Sequence, residues 1–189
     1  IAFRDLRDAR DWRVIVSVPS LATLPNRIRT LPQDAAFMRM IVRQADGLYA
    51  KAEFLREKAI RMYRLGKAPP IVRDPYEPPS REMKKSDHPI ICFLGRLDAI
   101  KRPWIFFQLA RDLPDLEFHV MGRTTVPSDY LPLIEPYRKL RNLKFFGWTF
   151  GDLKSRLLER SWVLANTSVH ESYPTSFLEA WGHECAVLC

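Results

Sequence analysis

After residue 89 the chain alternates short, continuously apolar segments with amphipathic ones. The apolar segments, bounded by glycine or polar residues, are typical of strands that a parallel sheet buries on both faces. They predict strands at residues 90–94, 116–121, 143–146, 162–166 and 185–189. The segments between them have helical spacing and predict helices at residues 103–113, 130–140, 152–160 and 174–183. Pro132 and Pro136 are expected to break the second of these helices. Strand alternating with helix predicts an α/β domain with a doubly wound parallel sheet.

The pattern is less regular in the first 73 residues, where a strand, a helix, a strand and a helix follow one another. They are predicted at residues 12–18, 34–45, 47–51 and 52–65, and an extended piece follows at residues 69–73. Residues 74–88 hold three prolines and many charges but little to bury, which is typical of a linker. We therefore expect residues 1–73 to end a first α/β domain, residues 74–88 to link two domains, and residues 89–189 to form the second. No covering helix follows the last predicted strand, so we expect this second domain to be truncated at residue 189.

Composition and charge narrow the classes of function. Apolar residues make up 47% of the chain and charged residues 28%, which are ordinary globular values. Apolar runs of about six residues are far shorter than the ~20 that a membrane-spanning helix needs. The net charge is +8, and residues 1–88 carry 18 basic and 11 acidic side chains, against 12 and 11 in residues 89–189. A basic first part can face phosphates, nucleic acid or an anionic membrane, although a solvated surface explains it equally well.

The cysteines and the central aromatic residues favour a structural interpretation. Cys92, Cys185 and Cys189 all lie in apolar stretches, and an odd count without metal-ligand spacing predicts reduced, buried thiols in a cytoplasmic protein. His119 lies in the middle of a predicted strand and is interpreted as a satisfied core residue. Phe106 has helical spacing typical of the core.

The first candidate site follows the strand at residues 90–94, in the segment Gly95-Arg96-Leu97-Asp98-Ala99-Ile100-Lys101-Arg102-Pro103. Ligands of open α/β sheets bind at the carboxyl ends of strands, where a glycine lets the backbone turn or approach a ligand closely. Arg96 and Lys101 would place two cations at this edge, and such a pair suits a diphosphate. The alternative is two surface cations near the start of a helix.

The second candidate site surrounds the predicted helix at residues 174–183, which has Pro174 in its first position. The backbone N–H groups of Thr175 and Ser176 at this helix start can bind an anion. Glu171 before the helix and Glu179 within it would flank that anion and could accept hydrogen bonds from sugar hydroxyls. The alternative is two ordinary carboxylates, one favoured by the helix dipole and one solvated.

The third candidate site consists of glycines that follow two further predicted strands, Gly122 in Met121-Gly122-Arg123 and Gly147 in Phe146-Gly147-Trp148. These segments, with Trp148, could line a slot for a nucleobase. Taken singly, each of them is better explained as a tight turn from strand to loop.

Taken in order, these motifs carry a family resemblance. The segments FLGRLDAIKRP and TSVHESYPTSFLEA, with Val-Met-Gly and Phe-Phe-Gly between them, resemble glycosyltransferase family 4. Enzymes of this family are retaining transferases of the GT-B architecture, with two Rossmann-like domains. The resemblance is strong over residues 89–189, fainter over residues 45–76 and weak before that, so it implies the end of a first Rossmann-like domain and the C-terminal half of a GT-B fold.

The resemblance implies roles for individual residues. Arg96 and Lys101 match the pair that holds the donor diphosphate and neutralises the leaving group. Glu171 matches the catalytically important glutamate that contacts the donor sugar, and Glu179 matches the one that holds the ribose hydroxyls. Residues Tyr173–Ser176 match the phosphate-contacting turn. Gly95, Gly122 and Trp148 complete the predicted donor site. Neither a cofactor nor a metal is expected, since no Asp-x-Asp or His/Cys cluster is present in the sequence.

Two departures from the family pattern affect the second motif. Ser172 stands where the family often has glycine after the first glutamate. Glu184 stands where a glycine is expected after the motif helix, and a non-glycine residue there must avoid positive φ or carry strain. The turn after the helix is therefore in question, while the motif itself is retained.

The expected function is transfer of a sugar from a nucleoside diphosphate to a glycan or lipid-linked acceptor with retention of configuration, as in cell-envelope polysaccharide biosynthesis. The expected location is the cytoplasm, with contact to an anionic membrane surface as a further option, and the chain alone is expected to be inactive. A nucleotide-sugar epimerase of related architecture is one alternative. A basic nucleic-acid-binding domain is another, but the positive excess lies outside residues 89–189 and the aromatic residues fall on core elements, so no nucleic acid partner is expected.

Overall fold

The computed structural model describes residues 15–17, 39–124, 131–132 and 134–189. The chain divides into two compact units. The first comprises the described residues up to Pro75 together with Glu171–Tyr173, and the second comprises the described residues of Tyr76–His170 and Pro174–Cys189.

In the first unit the described elements agree with the predicted sequence of strand, helix, strand and helix. They are β1 (Ile15–Ser17), a helical stretch at residues 39–44, β2 (Gly47–Tyr49) and α1 (Glu53–Tyr63). β1 and β2 pair in parallel. Ala50 forms an isolated parallel bridge with Ile71, within the predicted extended piece. The remainder of the predicted strand at residues 12–18 and the start of the predicted helix at residues 34–45 lie outside the described residues.

The second unit contains a five-stranded sheet. Its elements in chain order are β3 (Ile90–Leu94), α2 (Pro103–Asp112), β4 (Glu117–Met121), a 3₁₀ helix (Glu135–Tyr137), β5 (Leu143–Gly147), α3 (Gly151–Arg160), β6 (Val163–Ala165), α4 (Thr175–Gly182) and β7 (Ala186–Leu188). All strand pairs are parallel, and the strand order is β5-β4-β3-β6-β7. The predicted doubly wound parallel sheet is confirmed.

Helices cover both faces of this sheet because its strands are apolar on both sides. On one face Phe93 and Phe118 of the strands pack with Phe106 and Phe107 of α2. On the other face Cys92, Met121 and Leu164 pack with side chains of α3 and α4, among them Leu158 and Ala180. Neighbouring residues of β3 thus point into opposite layers, and α3 and α4 share one layer.

The strand order reverses beside β3, because β4 and β5 lie on one side of it and β6 and β7 on the other. The loops after β3 and β6 therefore leave the sheet in opposite directions and open a crevice at the carboxyl ends of these strands. The fold places the loops that carry the first two candidate motifs at this position.

Helical residues 131–132 and 134 and the 3₁₀ helix occupy the broken helix predicted at residues 130–140, where Pro132 and Pro136 lack the N–H groups that a continuous α-helix requires; residues 130 and 133 lie outside the described part. Two sequence predictions need correction. α4 begins at Thr175, and Pro174 takes the N-cap position with ψ 105°. Cys189 is exposed, whereas Cys92 and Cys185 are buried as predicted, and burial raises the pKa of the Cys92 thiol to about 12.

His119 is buried, as predicted, and its Nε2 pairs with the Glu117 carboxylate, but its Nδ1 has no hydrogen-bond partner among the described residues. Burial lowers the pKa of His119, so the buried ring favours its neutral form. Burial alone raises the pKa of Glu117, but hydrogen bonds from Lys144, His119 and His88 outweigh it and lower this pKa to about 2. Glu117 opens β4, so the cluster lies at the amino ends of the strands, away from the crevice.

Residues 76–89 contain no helix or strand and belong to the second unit. The Nζ of Lys85 donates to the backbone oxygens of Ser161 and His183, at 2.6 and 2.5 Å. Arg81 forms an ion pair of 2.7 Å with Glu159 of α3. These contacts fasten the proline-rich segment to the helical layer that contains α3 and α4.

Within the described residues, no helix combines the length and apolar character needed to cross a bilayer.

Candidate functional site

Gly95 and Gly122 bring the ends of β3 and β4 into direct backbone contact. The Gly95 N–H donates to the Met121 oxygen at 3.0 Å, and the Leu97 N–H donates to the Arg123 oxygen at 3.0 Å. A Cβ atom at position 122 would overlap the carbonyl oxygen of Gly95. Gly122 is therefore required by the close approach of two strands, which explains the glycine that the sequence placed there.

Asp98 organises the loop that carries the two predicted diphosphate ligands. Its Oδ1 accepts hydrogen bonds from the backbone N–H groups of Ile100 and Lys101, at 3.1 and 3.0 Å. Its Oδ2 lies 3.1 Å from Nη2 of Arg96. Asp98 thus fixes the backbone at one cation and the side chain of the other. Sequence reasoning did not assign it a role, although an aspartate bonding N–H groups two and three residues on is a known turn signal.

Lys101 lies over the glycine at the end of β3. A Cβ atom at Gly95 would stand 3.8 Å from both Cδ and Cε of Lys101, so the lysine stem covers the bare backbone. The guanidinium of Arg96 belongs to a side chain that is 51% exposed. The structure therefore places Gly95, Arg96 and Lys101 in one loop at the carboxyl end of the central strand.

Hydrogen bonds between Arg102 and Thr167 join the loops after β3 and β6. Arg102 has a left-handed backbone with φ 45°, and its Nε donates to the Thr167 oxygen at 2.7 Å. In return, the buried Thr167 hydroxyl contacts the backbone oxygens of Lys101 and Arg102 at 2.6 and 3.0 Å. The Val169 N–H also donates to the Ile100 oxygen at 2.9 Å. These hydrogen bonds cross the point where the strand order reverses, and the sequence alone did not predict them.

Arg123 connects two of the predicted nucleobase-slot segments. Its guanidinium lies 5.0 Å from the centre of the Trp148 ring, a cation–π contact. Trp148 is 57% exposed and follows Gly147, whose φ is +69°. The side chain of Arg123, directly after Gly122, thus brings the carboxyl ends of β4 and β5 together and leaves a large part of the indole accessible.

α4 presents an open amino end and a paired carboxylate. Among the described residues no side chain caps its first turn, so the N–H groups of Thr175 and Ser176 have no side-chain cap. Glu179, the second predicted glutamate, lies within α4 and forms an ion pair of 2.7 Å with Lys154 of α3. Tyr76 packs on Gly182, where a Cβ atom would overlap its phenol. Burial, then the nearby Glu179, raises the pKa of Tyr76, which keeps the phenol neutral.

The remaining predicted site residues, Glu171 and Tyr173, belong to the first unit. Both are half-buried and lie in the loop that precedes α4 in sequence. The candidates that the second unit brings together are therefore Gly95, Arg96 and Lys101, the pair Gly122 and Trp148, and the α4 residues with Pro174 at their start.

The turn after α4 keeps its shape without the expected glycine. Glu184 has φ 58°, its N–H donates to the Trp181 oxygen at 2.9 Å, and the Cys185 N–H donates to the Ala180 oxygen at 2.8 Å. This is the hydrogen-bond pattern of a Schellman motif, in which glycine usually takes the left-handed position. Of the two outcomes expected for a non-glycine residue at position 184, avoidance of positive φ or strain, the structure shows the strained one.

We expect Glu184→Gly to raise the free energy of unfolding by about 1 kcal/mol, because glycine carries no steric penalty in the left-handed region. Thermal and urea unfolding of the variant would measure the change. Glu184→Ala is the matched control, since it removes the carboxylate but keeps the Cβ atom, and it should give no comparable gain. Equal stabilisation by both substitutions would contradict the strain explanation.

In the described part of the chain, no three His, Cys, Asp or Glu side chains cluster in a way suited to a metal ion.

The family model described as "Glycosyl transferases group 1" matches residues 78–189. No curated protein matches the chain. Among solved structures, a variant of TarM from S. aureus in complex with Fondaparinux, alpha-GlcNAc-glycerol and UDP is similar with a TM-score of 0.73 and 14% identity, over 93% of this chain and 36% of that one.

Two further structures cover more of their own length. HepE from Anabaena in complex with UDP and glucose has a TM-score of 0.72 and 14% identity, over 96% of this chain and 53% of that one. Sucrose-phosphate synthase from Thermosynechococcus elongatus has a TM-score of 0.69 and 15% identity, over 97% of this chain and 51% of that one. The chain thus spans from about a third to about half of these structures, and it has the Rossmann-like fold of GT-B glycosyltransferases.

Proposed function

The chain belongs to the family of group 1 glycosyl transferases, and on that basis we propose that the protein containing it transfers a sugar from a nucleoside diphosphate to a glycan or lipid-linked acceptor. We assign it to family 4 and to the mechanism that retains the anomeric configuration. The observation that carries the proposal is the loop after β3. There Asp98 holds Arg96 and orders the backbone at Lys101, beside two glycines in backbone contact.

The diphosphate is the part of the donor that this loop suits best. Sugar transfer breaks the bond between the sugar and the diphosphate, so negative charge grows on the departing oxygen. Cations already fixed in place stabilise that charge without reorganisation at the moment of reaction. Lys101 supplies a point charge above Gly95 and Arg96 a forked donor, while the uncapped N–H groups of α4 supply further donors. A divalent metal is not needed in this scheme.

The carboxylates and Trp148 are assigned to the rest of the donor. Glu179 is proposed to accept hydrogen bonds from the ribose hydroxyls, and Glu171 to contact the transferred sugar and support its positively charged transition state. Trp148 would offer its exposed ring to the nucleobase, with Tyr173 and Pro174 forming the turn beside the phosphates. That structures of similar fold were solved in complex with UDP supports a nucleotide donor.

Residues 1–73 are proposed to end the acceptor-side domain, residues 74–88 to connect it, and residues 89–189 to bind the donor. The basic side chains in residues 1–88 would suit an anionic membrane surface or a polyprenyl phosphate acceptor. We propose a cytoplasmic enzyme of cell-envelope polysaccharide synthesis that requires no cofactor besides its nucleotide-sugar donor.

Binding of UDP, GDP and ADP to the full-length protein, measured by calorimetry, tests the proposal. One of the three should bind, and the matching nucleotide sugars should then be screened for transfer, with the anomeric configuration of the product read by NMR. No binding of any nucleoside diphosphate would overturn the proposal. Conversion of the sugar without an acceptor would indicate an epimerase, and salt-sensitive binding of nucleic acid alone would indicate a nucleic-acid-binding domain.

A further inference from the structure

We propose that Lys154 is a positioning residue that determines how strongly the protein recognises the ribose of its donor. The inference rests on the proposed function, in which Glu179 binds the ribose hydroxyls. Lys154 lies on α3, outside every motif that the sequence singled out. Its Nζ lies 2.7 Å from Oε1 of Glu179, and the two side chains are 28% and 22% exposed.

The contact leaves the carboxylate able to act as an acceptor. A carboxylate has two oxygens with about four acceptor sites, and the lysine ammonium uses one of them on Oε1. Oε2 remains available to accept a hydroxyl hydrogen, and the ion pair limits the rotamers that the glutamate can adopt. Because both side chains are partly buried, water screens this pair less than a pair on an open surface.

A second contact between the same two helices fixes the frame in which the ion pair forms. Nδ1 of His183 donates to the backbone oxygen of Glu179 at 2.7 Å, because that oxygen can only accept. Nε2 of the same ring is hydrogen-bonded to the hydroxyl of Ser155 at 2.8 Å. Lys154 and Ser155 are neighbours on α3, so Lys154 contacts the side chain of Glu179 directly and Ser155 contacts its backbone through His183.

The layer beneath these contacts is buried and apolar. Leu158 of α3 and Ala180 of α4 are fully buried in one core cluster. Along the chain, Leu158 follows Lys154 by four residues, and Ala180 directly follows Glu179. Tyr76 packs against Gly182 at the far end of α4. With the backbones of both helices held, the freedom left to Glu179 is that of its own side chain, and Lys154 restricts it. Pre-organisation of this kind lowers the entropy lost on binding.

The test compares two ligands that differ at the ribose. Calorimetry on the full-length protein gives the dissociation constants of the nucleoside diphosphate that binds and of its 2′,3′-dideoxy counterpart. We expect the wild type to prefer the hydroxylated ligand by about 30-fold, and Lys154→Ala to reduce this preference to about threefold while leaving affinity for the dideoxy ligand within about twofold. Lys154→Arg, which keeps a charged donor, should recover most of the preference.

Arg81→Ala is the matched control, because it removes an ion pair to Glu159 on the same helix without touching Glu179. It should leave the preference unchanged. If Lys154→Ala weakens both ligands equally, or keeps the full preference, the positioning role is overturned while the proposed function stands. If the wild type binds the diphosphate and its dideoxy counterpart equally well, Glu179 does not bind the ribose hydroxyls and the inference about Lys154 is wrong. If no diphosphate binds, the proposed function itself fails.

Discussion

Glu171→Ala is expected to lower the turnover of sugar transfer by about 100-fold or more, while the protein remains folded. Cleavage of the bond to the diphosphate leaves the sugar carbon electron-deficient, and a fixed carboxylate beside it stabilises that charge. Affinity for the nucleoside diphosphate should change little, because that ligand lacks the sugar. Steady-state kinetics with the matching nucleotide sugar, together with calorimetry of the diphosphate, would measure both effects.

Glu57→Ala is the matched control for this experiment. Glu57 is an exposed carboxylate on α1 in the same unit, so its loss makes the same change in charge. It should leave turnover and melting temperature as in the wild type. Full activity of Glu171→Ala would refute the role of Glu171, and a fall in melting temperature that parallels the fall in turnover would assign the residue to the fold instead.

Lys101→Ala is expected to weaken binding of the nucleoside diphosphate by about 30-fold, since a charge-assisted hydrogen bond contributes about 2 kcal/mol. Binding of the free nucleoside should not change, because it carries no phosphate. Arg96→Ala should cost less, because its side chain is 51% exposed and already shares its charge with Asp98. Calorimetry with diphosphate, monophosphate and nucleoside would separate the contribution of each phosphate.

Lys139→Ala provides the control for overall charge, because Lys139 is an exposed cation of the same unit outside the crevice loops. A loss of affinity as large as that of Lys101→Ala would mean that net charge, not position, attracts the nucleotide. Undiminished binding in the double variant of Arg96 and Lys101 would remove both residues from the donor site.

The sheet was accessible from the sequence because its physical signal is local. The strands are continuous apolar runs that end at glycine or polar residues, and the structure confirms each predicted strand of residues 89–189 with shifts of at most one residue at either end. The break that Pro132 and Pro136 were expected to make in the helix at residues 130–140 is also present. A local rule was misapplied at Pro174, which precedes α4 instead of opening it.

The contacts that organise the crevice were not accessible in the same way. The hydrogen bonds between Arg102 and Thr167 join residues 65 positions apart, and the ion pair of Lys154 and Glu179 joins residues 25 positions apart. Both depend on strand order, which periodicity does not report. Asp98 differs, because its spacing to the N–H groups it binds is short, so a turn rule applied to that loop could have identified it. The roles of the individual site residues stay predictions.

The contact between the backbones of Gly95 and Gly122 limits which positions of the proposed donor site can vary between related proteins. A side chain at position 122 would have to push β3 and β4 apart, so residues other than glycine are excluded at this position. Under the proposed function, divergence towards another base or sugar must instead use the side chains of the neighbouring loops. Comparing related sequences at positions 123 and 148 is therefore a more informative guide to ligand choice than the glycines that bring those loops together.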